Sequence, residues 1–150
     1  MRVVPLNELQ PAQLDRLKQV SALALGRSDE AYLLRLLGET YSKPSMRLLA
    51  LMAGGEVVGV AGFRRTGDAS ATLLHIAVAP AVQRQGFGRY LVEHVISAEG
   101  LSRLEAETDD DAVGFYRKCG FEVESLGEKY PGVTRYRCTW ASEPGLRGTA

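Results

Sequence analysis

The feature that most constrains this chain is a change of hydrophobic period across one short, glycine-containing segment. Before it, Ala71–Ala79 is almost unbroken apolar sequence, closed by Pro80, which cannot donate to a β ladder. After it, Phe87, Tyr90, Leu91, His94, Val95 and Ala98 recur at helical spacing, with Gly100 placed as a C′ stop. Between them stands Gln83-Arg84-Gln85-Gly86-Phe87-Gly88. A strand must therefore feed a helix through a turn that contains two glycines. The first turn of a helix carries about four N–H groups without intrahelical partners, at the positive end of the macrodipole. Gly86 and Gly88 lack the Cβ that would keep a diphosphate off that backbone, and Arg84 and Arg89 add cationic donors. The segment reads as a pyrophosphate cradle. The plainer alternative is that the two glycines only shape a tight turn.

Spacing separates this loop from two others that bind phosphates. A dinucleotide fingerprint needs a third glycine where Leu91 stands, and no G-x-x-x-x-G-K-[ST] run exists. What is left is Q/R-x-x-G-x-G.

The rest of the chain predicts an α+β domain. Met1–Leu6 reads as an opening strand and Pro11–Leu25 as a helix with Leu14, Leu17, Ser21 and Ala24 on one side. Ser28 is placed as the N-cap of a second helix carrying Leu33, Leu34, Leu36 and Leu37 and breaking near Gly38 or Pro44. Arg47–Ala53 and Glu56–Arg65 form a predicted hairpin around Gly54-Gly55, and Ala71–Ala79 completes a meander. These strands are apolar on both faces, which predicts helices on both sides. Leu101–Thr108 alternates as a half-exposed strand; Thr108-x-x-Asp111 resembles a capping box, with Asp109 as the other N-cap candidate. A helix to Cys119 and strands at Phe121–Ser125 and Val133–Trp140 follow. The domain is expected to span residues 1–141, with a loose tail over 142–150.

Composition excludes several classes. Eighteen basic residues balance 18 acidic ones, so no net field draws the chain to nucleic acid or a membrane. Cys119 and Cys138 are too few for a disulfide framework. No signal peptide or membrane-spanning run is legible, and a cytoplasmic location is expected. No G-x-S-x-G or H-E-x-x-H pattern occurs, and no metal is expected.

A second block adds specificity to the first. His75-Ile76-Ala77-Val78-Ala79-Pro80, then Gln83–Gly88 and Arg89-Tyr90-Leu91, resembles the acetyl-CoA signature of the GNAT acetyltransferase superfamily. About 20 residues further on, Asp109-x-x-Ala112-x-x-Phe115-Tyr116 followed by Gly120-Phe121 is similar to that family's N-x-x-A-x-x-F-Y…GF helix. Asp109 stands where an asparagine is usual, a departure that bears on a polar contact near the pantetheine. The resemblance covers roughly Arg47 to Trp140. It implies a mixed, mostly antiparallel sheet of about six or seven strands, flanked by about four helices, with strands 4 and 5 splayed.

It also implies an N-acetyltransferase that uses acetyl-CoA as co-substrate. The cofactor-binding set is then Ile76, Ala77, Val78, Gln83, Arg84, Gln85, Gly86, Phe87, Gly88, Arg89, Asp109 and Tyr116. Val78 N–H is the implied oxyanion donor, and Tyr116 resembles the general acid. An alkylamine with a pKa of ~10.4 must lose a proton before attack. His75, with an ordinary pKa of ~6.5, and Glu107, acting through water, are the candidate bases. His94 on the helix stripe, Phe115, Cys119 and Phe121 are read as core. Two other readings stand beside this one. A non-catalytic acyl-CoA-binding module has the same fold, whereas a nucleotide-binding redox protein fits poorly without the third glycine.

Acceptor choice in such a family resides in the N-terminal helices and late loops, here Leu9–Tyr41 and Leu126–Val133. Glu30, Glu39, Glu124 and Glu128 could each hold an ammonium there. The expected partner is a small-molecule or peptide amine. A homodimer through the C-terminal strands is compatible with the reading.

Overall fold

A computed structural model describes residues 1–25 and 35–142. Its seven strands form a mixed, mostly antiparallel sheet in the order β1-β2-β3-β4-β5-β7-β6. They are β1 (Arg2–Pro5), β2 (Met46–Ala53), β3 (Glu56–Gly67), β4 (Ser70–Val78), β5 (Arg103–Thr108), β6 (Glu122–Tyr130) and β7 (Val133–Ala141). Three α-helices lie among the described residues: α1 (Pro11–Leu25), α2 (Phe87–Ala98) and α3 (Val113–Lys118). None of the described helices is long and apolar enough to cross a membrane. The α+β class and the meander stand as expected. The chain divides into two compact units, Met1–Arg65 with Leu73–His94, and Thr66–Thr72 with Val95–Ala150.

In the first unit, β1, β2 and β3 pair antiparallel, and the β2–β3 turn carries left-handed φ at both Gly54 (60°) and Gly55 (81°). Positive φ at both central residues is what a type I′ hairpin turn needs, and glycine adopts it at little steric cost. One sheet face buries Val4, Leu48, Ala50, Met52, Val57 and Val60 against Leu17 and Val20 of α1. The other holds Leu51 and Gly59, where a Cβ on Gly59 would lie 3.1 Å from Leu91 Cδ1 of α2. Every residue from Val57 to Phe63 is buried, as expected for a strand covered on both sides.

Three expectations about the helices are corrected. On α1, Val20 is buried beside Leu17 and Ser21, a position the reading left off the apolar side. On α2, Leu91, Val92 and Val95 are buried while Tyr90 and Ala98 are exposed and His94 is half-buried. The buried arc centres on Leu91 and Val92, so the aromatic Tyr90 was drawn into the stripe by hydrophobicity alone. Gly38, one of the two breaks named for the second helix, lies inside a π-helical turn at Leu36–Thr40, so the break falls beyond it, toward the other at Lys43-Pro44. Ser28, Glu30, Leu33 and Leu34 fall outside the described residues.

In the second unit, β7 pairs antiparallel with both β5 and β6. Leu104, Ala106 and Thr108 point inward while Arg103 and Glu107 are exposed, the predicted alternation. Cys138, opposite Ala106 on one side and Val123 on the other, is fully buried. The late segment read as a loop over Leu126–Val133 is instead strand, turn and strand. A register shift between Ser125 and Gly127, with Gly127 at φ 80°, absorbs the irregularity and lets β6 run to Tyr130. Pro131 and Gly132 (φ 78°) then join β6 to β7. Ser142 N–H donates to Ser102 O at 2.8 Å, so the first residue assigned to the tail is held by the unit.

Candidate active site

The end of β4 passes through a 3-10 turn at Pro80–Val82 into the Gln83–Gly88 segment, and α2 starts at Phe87. Two residues of this segment are left-handed, Arg84 (φ 66°) and Gly86 (φ 82°). Glycine adopts that conformation freely; arginine does so only when its surroundings dictate it. The left-handed turns let the segment double back so that Gly86 O accepts from Tyr90 N–H at 2.9 Å and opens the helix. A Cβ on Gly86 would meet nothing within 4 Å, so the space over this glycine is open. Gln83, Arg84, Gln85 and Gly86 are exposed, Phe87 and Gly88 half-buried. The first-turn N–H groups of α2 thus face an open, cationic loop, and the donor set fits a diphosphate. Of the two cations, Arg89 is also engaged by Glu93 at 3.1 Å, an exposed i,i+4 pair of a kind that contributes about 0.3–0.5 kcal/mol. The Gln83 side-chain amide donates to Val78 O at 3.1 Å.

Along β4, Ile76, Ala77 and Val78 are half-buried. Ala77 and Ala79 pack on the α1 face of the sheet. His75 shares that face, because its Nδ1 lies 2.5 Å from the hydroxyl of buried Tyr41. Leu74 packs against the same core as Ala77, so strict alternation does not run through His75. The His75 and Tyr41 rings meet edge to face at 5.8 Å. Burial lowers the His75 pKa from its ordinary value, because the charged imidazolium loses hydration.

In the second unit, Asp109 rather than Thr108 caps the helical turn. Asp109 Oδ1 accepts from Asp111 N–H at 3.0 Å and Ala112 N–H at 3.2 Å, while its carbonyl accepts from Val113 N–H at 3.0 Å. Thr108 is turned into the core. From that start α3 buries Val113 and Tyr116. Tyr116 sits edge to face between Phe115 at 5.1 Å and Phe121 at 5.2 Å. Phe121 is buried as read; Phe115 is only half-buried. Burial raises the Tyr116 pKa well above the phenol range, with smaller contributions from Cys138 and Cys119, so its proton is retained. Among the described residues, Ser21 Oγ is the one buried side-chain polar atom without a partner. The Tyr116 hydroxyl makes no hydrogen bond to another described residue. Glu107 is exposed and lies 3.5 Å from both Lys129 Nζ and Arg135 Nε. Of the acids named as candidate ammonium partners, Glu124 is paired with Arg137 at 3.5 Å, and Glu39 and Glu128 are exposed.

Three participants escaped the sequence reading. Tyr41 lies far from any motif, and Gly62, which makes room for its ring, looks like an ordinary strand glycine. The Gln83–Val78 bond links two residues that had each been singled out separately. None of these carries a local pattern, since each depends on which strands become neighbours.

Comparison with known proteins places this geometry. Residues 44–123, just over half the chain, match the family model for the acetyltransferase (GNAT) domain. The peptidyl-lysine N-acetyltransferase YjaB of Salmonella typhimurium is 46% identical over 59 residues, 35% of this chain and 41% of that protein. The N-alpha-acetyltransferase RimI of Mycobacterium tuberculosis is 32% identical over 99 residues, 62% of this chain and 63% of that protein. The matched stretches thus span less than two thirds of these relatives. An aminoglycoside 6'-N-acetyltransferase complexed with coenzyme A superposes with a TM-score of 0.78 at 16% identity, covering 96% of this chain and 98% of that one. A GNAT family acetyltransferase from Elizabethkingia anophelis with acetyl-CoA bound gives 0.65 at 20% identity, covering 93% and 97%. The likeness to these two structures is one of fold. The strand, left-handed loop and helix, together with the family match across them, make this chain a member of the GNAT acetyltransferase superfamily.

Proposed function

We propose that the chain moves the acetyl group of acetyl-coenzyme A to a primary amine by direct attack in a ternary complex. The observation that carries this reading is the Gln83–Gly88 loop, with left-handed Arg84 and Gly86 and open space over Gly86 at the start of α2. Main-chain N–H groups from Gly86 to Arg89, with Gln83, Arg84 and Gln85, would hold the diphosphate. The backbone of Ile76–Val78 would pair with the pantetheine, and Asp109 belongs to the same binding set. When bound, acetyl-CoA supplies the acyl group as an activated thioester.

Each residue's role follows from its chemistry. Val78 N–H donates to the carbonyl oxygen as negative charge builds on it. Tyr116 is protonated at neutral pH and its hydroxyl makes no hydrogen bond to another described residue, so its proton can be offered to the departing sulfur. An ordinary phenol at ~10 is already a weaker acid than a thiol at ~8.5, and burial weakens Tyr116 further, so complete transfer is uphill and the proton is shared as charge develops. Proton removal from the ammonium falls to His75 or to Glu107 through water. The relatives and structural neighbours are named for peptidyl lysine, for α-amino groups and for aminoglycosides, and so differ in acceptor. They share a primary amine, and that class is proposed here.

The test is calorimetric titration of wild type and Gly86→Glu with acetyl-CoA, with circular dichroism to check folding, followed by a thiol-release screen of amines. Micromolar binding lost in the variant, with turnover of at least one amine, is expected. Absence of binding to folded wild type would sink the reading. Binding without transfer to any amine would reassign the chain as an acyl-CoA-binding module.

A further inference from the structure

Tyr41 stands on none of the family's motifs, yet it is the hydrogen-bonding partner of His75. Its seat is specific. A Cβ on Gly62 would overlap the Tyr41 hydroxyl and ring, so the phenol rests where any other residue would place its side chain. The same Tyr41 ring is 7% exposed and belongs to the core formed with α1, which fixes the hydroxyl in space. Across from it, His75 makes a single hydrogen bond, through Nδ1, among the described residues. The ring as a whole is half-buried.

We propose that Tyr41 is a positioning residue, its hydroxyl donating to Nδ1 and fixing His75 as the Nε2–H tautomer, so that His75 offers a hydrogen-bond donor to a carbonyl or carboxylate oxygen rather than a lone pair to an ammonium. The direction follows from the inventory of donors and acceptors. A phenol hydroxyl is a good donor and a neutral imidazole nitrogen a good acceptor, whereas the reverse bond pairs a weaker donor with a weak phenol acceptor. Because a neutral imidazole carries one N–H, a bond accepted at Nδ1 places that proton on Nε2. Burial lowers the His75 pKa and so favours this neutral form near pH 7. The consequence for the reaction is concrete. With Nδ1 accepting from Tyr41 and Nε2 already protonated, neither nitrogen keeps a free lone pair, so His75 is withdrawn from the base role, and proton removal passes to water near Glu107. That consequence rests on the acyltransfer reading; the tautomer itself does not.

The experiment is long-range 1H–15N spectroscopy of the two histidine rings at pH 8, with His75 assigned by loss of its signals in His75→Gln. Wild type is expected to show a lone-pair-type, hydrogen-bonded Nδ1 and a pyrrole-type Nε2. Tyr41→Phe, which removes one oxygen and leaves the ring, should return His75 to a mixture of tautomers. Gly62→Ala should do the same by displacing the hydroxyl. A pyrrole-type Nδ1 in wild type, or a tautomer unmoved by Tyr41→Phe, overturns the assignment. In the transfer assay His75→Gln, whose amide N–H can stand in for Nε2–H, should exceed His75→Ala by about 10-fold. Equal rates for the two would overturn the donor role. Absence of transfer in wild type would instead count against the acyltransferase reading, and the spectra would still decide the tautomer.

Discussion

The side-chain amide of Gln83 donates to the main-chain carbonyl of Val78 at 3.1 Å, clasping the Gln83–Gly88 loop to the end of β4. Only the short Pro80–Val82 turn separates the two, held by Val82 N–H to Ala79 O at 3.0 Å. The clasp occupies the Val78 carbonyl and holds in register two parts of the proposed acetyl-CoA site. An exposed hydrogen bond of this kind contributes about 0.5–1.5 kcal/mol. Gln83→Ala should therefore weaken acetyl-CoA binding about 3- to 10-fold in calorimetry, with little change in Tm because the loop lies outside the core. Unaltered affinity would show that the loop needs no clasp.

Tyr116 yields three separable expectations. Its hydroxyl has no partner among the described residues, so Tyr116→Phe should change stability by less than about 0.5 kcal/mol at pH 7, measured by urea denaturation. The same substitution should lower kcat about 100-fold or more while moving KM for acetyl-CoA far less, as loss of a general acid does. The alkaline behaviour has a definite sign. The folded-state pKa lies above the unfolded value of ~10, so the folded state holds its proton where the unfolded chain releases it. Stability from this group is fully present below pH ~10 and is lost above it. Wild type should lose more stability than Tyr116→Phe between pH 9 and pH 11. An unchanged kcat would remove Tyr116 from the acid role.

How much of this was legible depended on the range of each interaction. The loop and α2 were readable because Pro80, Gly86, Gly88 and the helical spacing are all local. The alternation of Leu104, Ala106 and Thr108 was readable for the same reason. Illegible were features created by neighbours distant in sequence. The Tyr41–His75 pair spans 34 positions and needs Gly62 on a third element. The extension of β6 past Ser125 was hidden because Leu126-Gly127 carries the composition of a loop, and only pairing with β7 makes it strand. At Asp109 the sequence offered two caps. Burial of Thr108 decided between them, and burial is a tertiary property.

His75 should leave an acidic signature in stability. Its folded pKa lies below the unfolded value of ~6.5, so the unfolded chain takes up a proton on acidification before the folded one does. The stability it contributes is present above pH ~6.5 and is lost as pH falls below that. Wild type should therefore lose more stability than His75→Gln between pH 7.5 and pH 5.5, read as urea midpoints on both proteins. Parallel losses would mean that the imidazole is hydrated in the folded state.

Asp109 tests the departure from the family's asparagine. Its carboxylate accepts two N–H bonds at the start of α3, and asparagine and aspartate cap about equally well. Asp109→Asn should leave stability within about 0.5 kcal/mol, whereas Asp109→Ala should cost about 1 kcal/mol. If the aspartate also weakens acetyl-CoA binding through its charge, Asp109→Asn should tighten it. Equal stability in the alanine variant would show that the turn forms without the cap.

Ser21 gives the opposite sign. It is buried on α1 and its Oγ lacks a partner. Removing an unsatisfied buried hydroxyl recovers its desolvation cost, about 1–3 kcal/mol, and alanine also has the better helix propensity. The vacated volume is small, so the cavity term is minor beside this gain. Ser21→Ala should therefore raise the urea midpoint by an amount equivalent to about 1 kcal/mol without changing m. A lower midpoint would mean that the hydroxyl is bonded in solution, to water or to a carbonyl of the preceding turn.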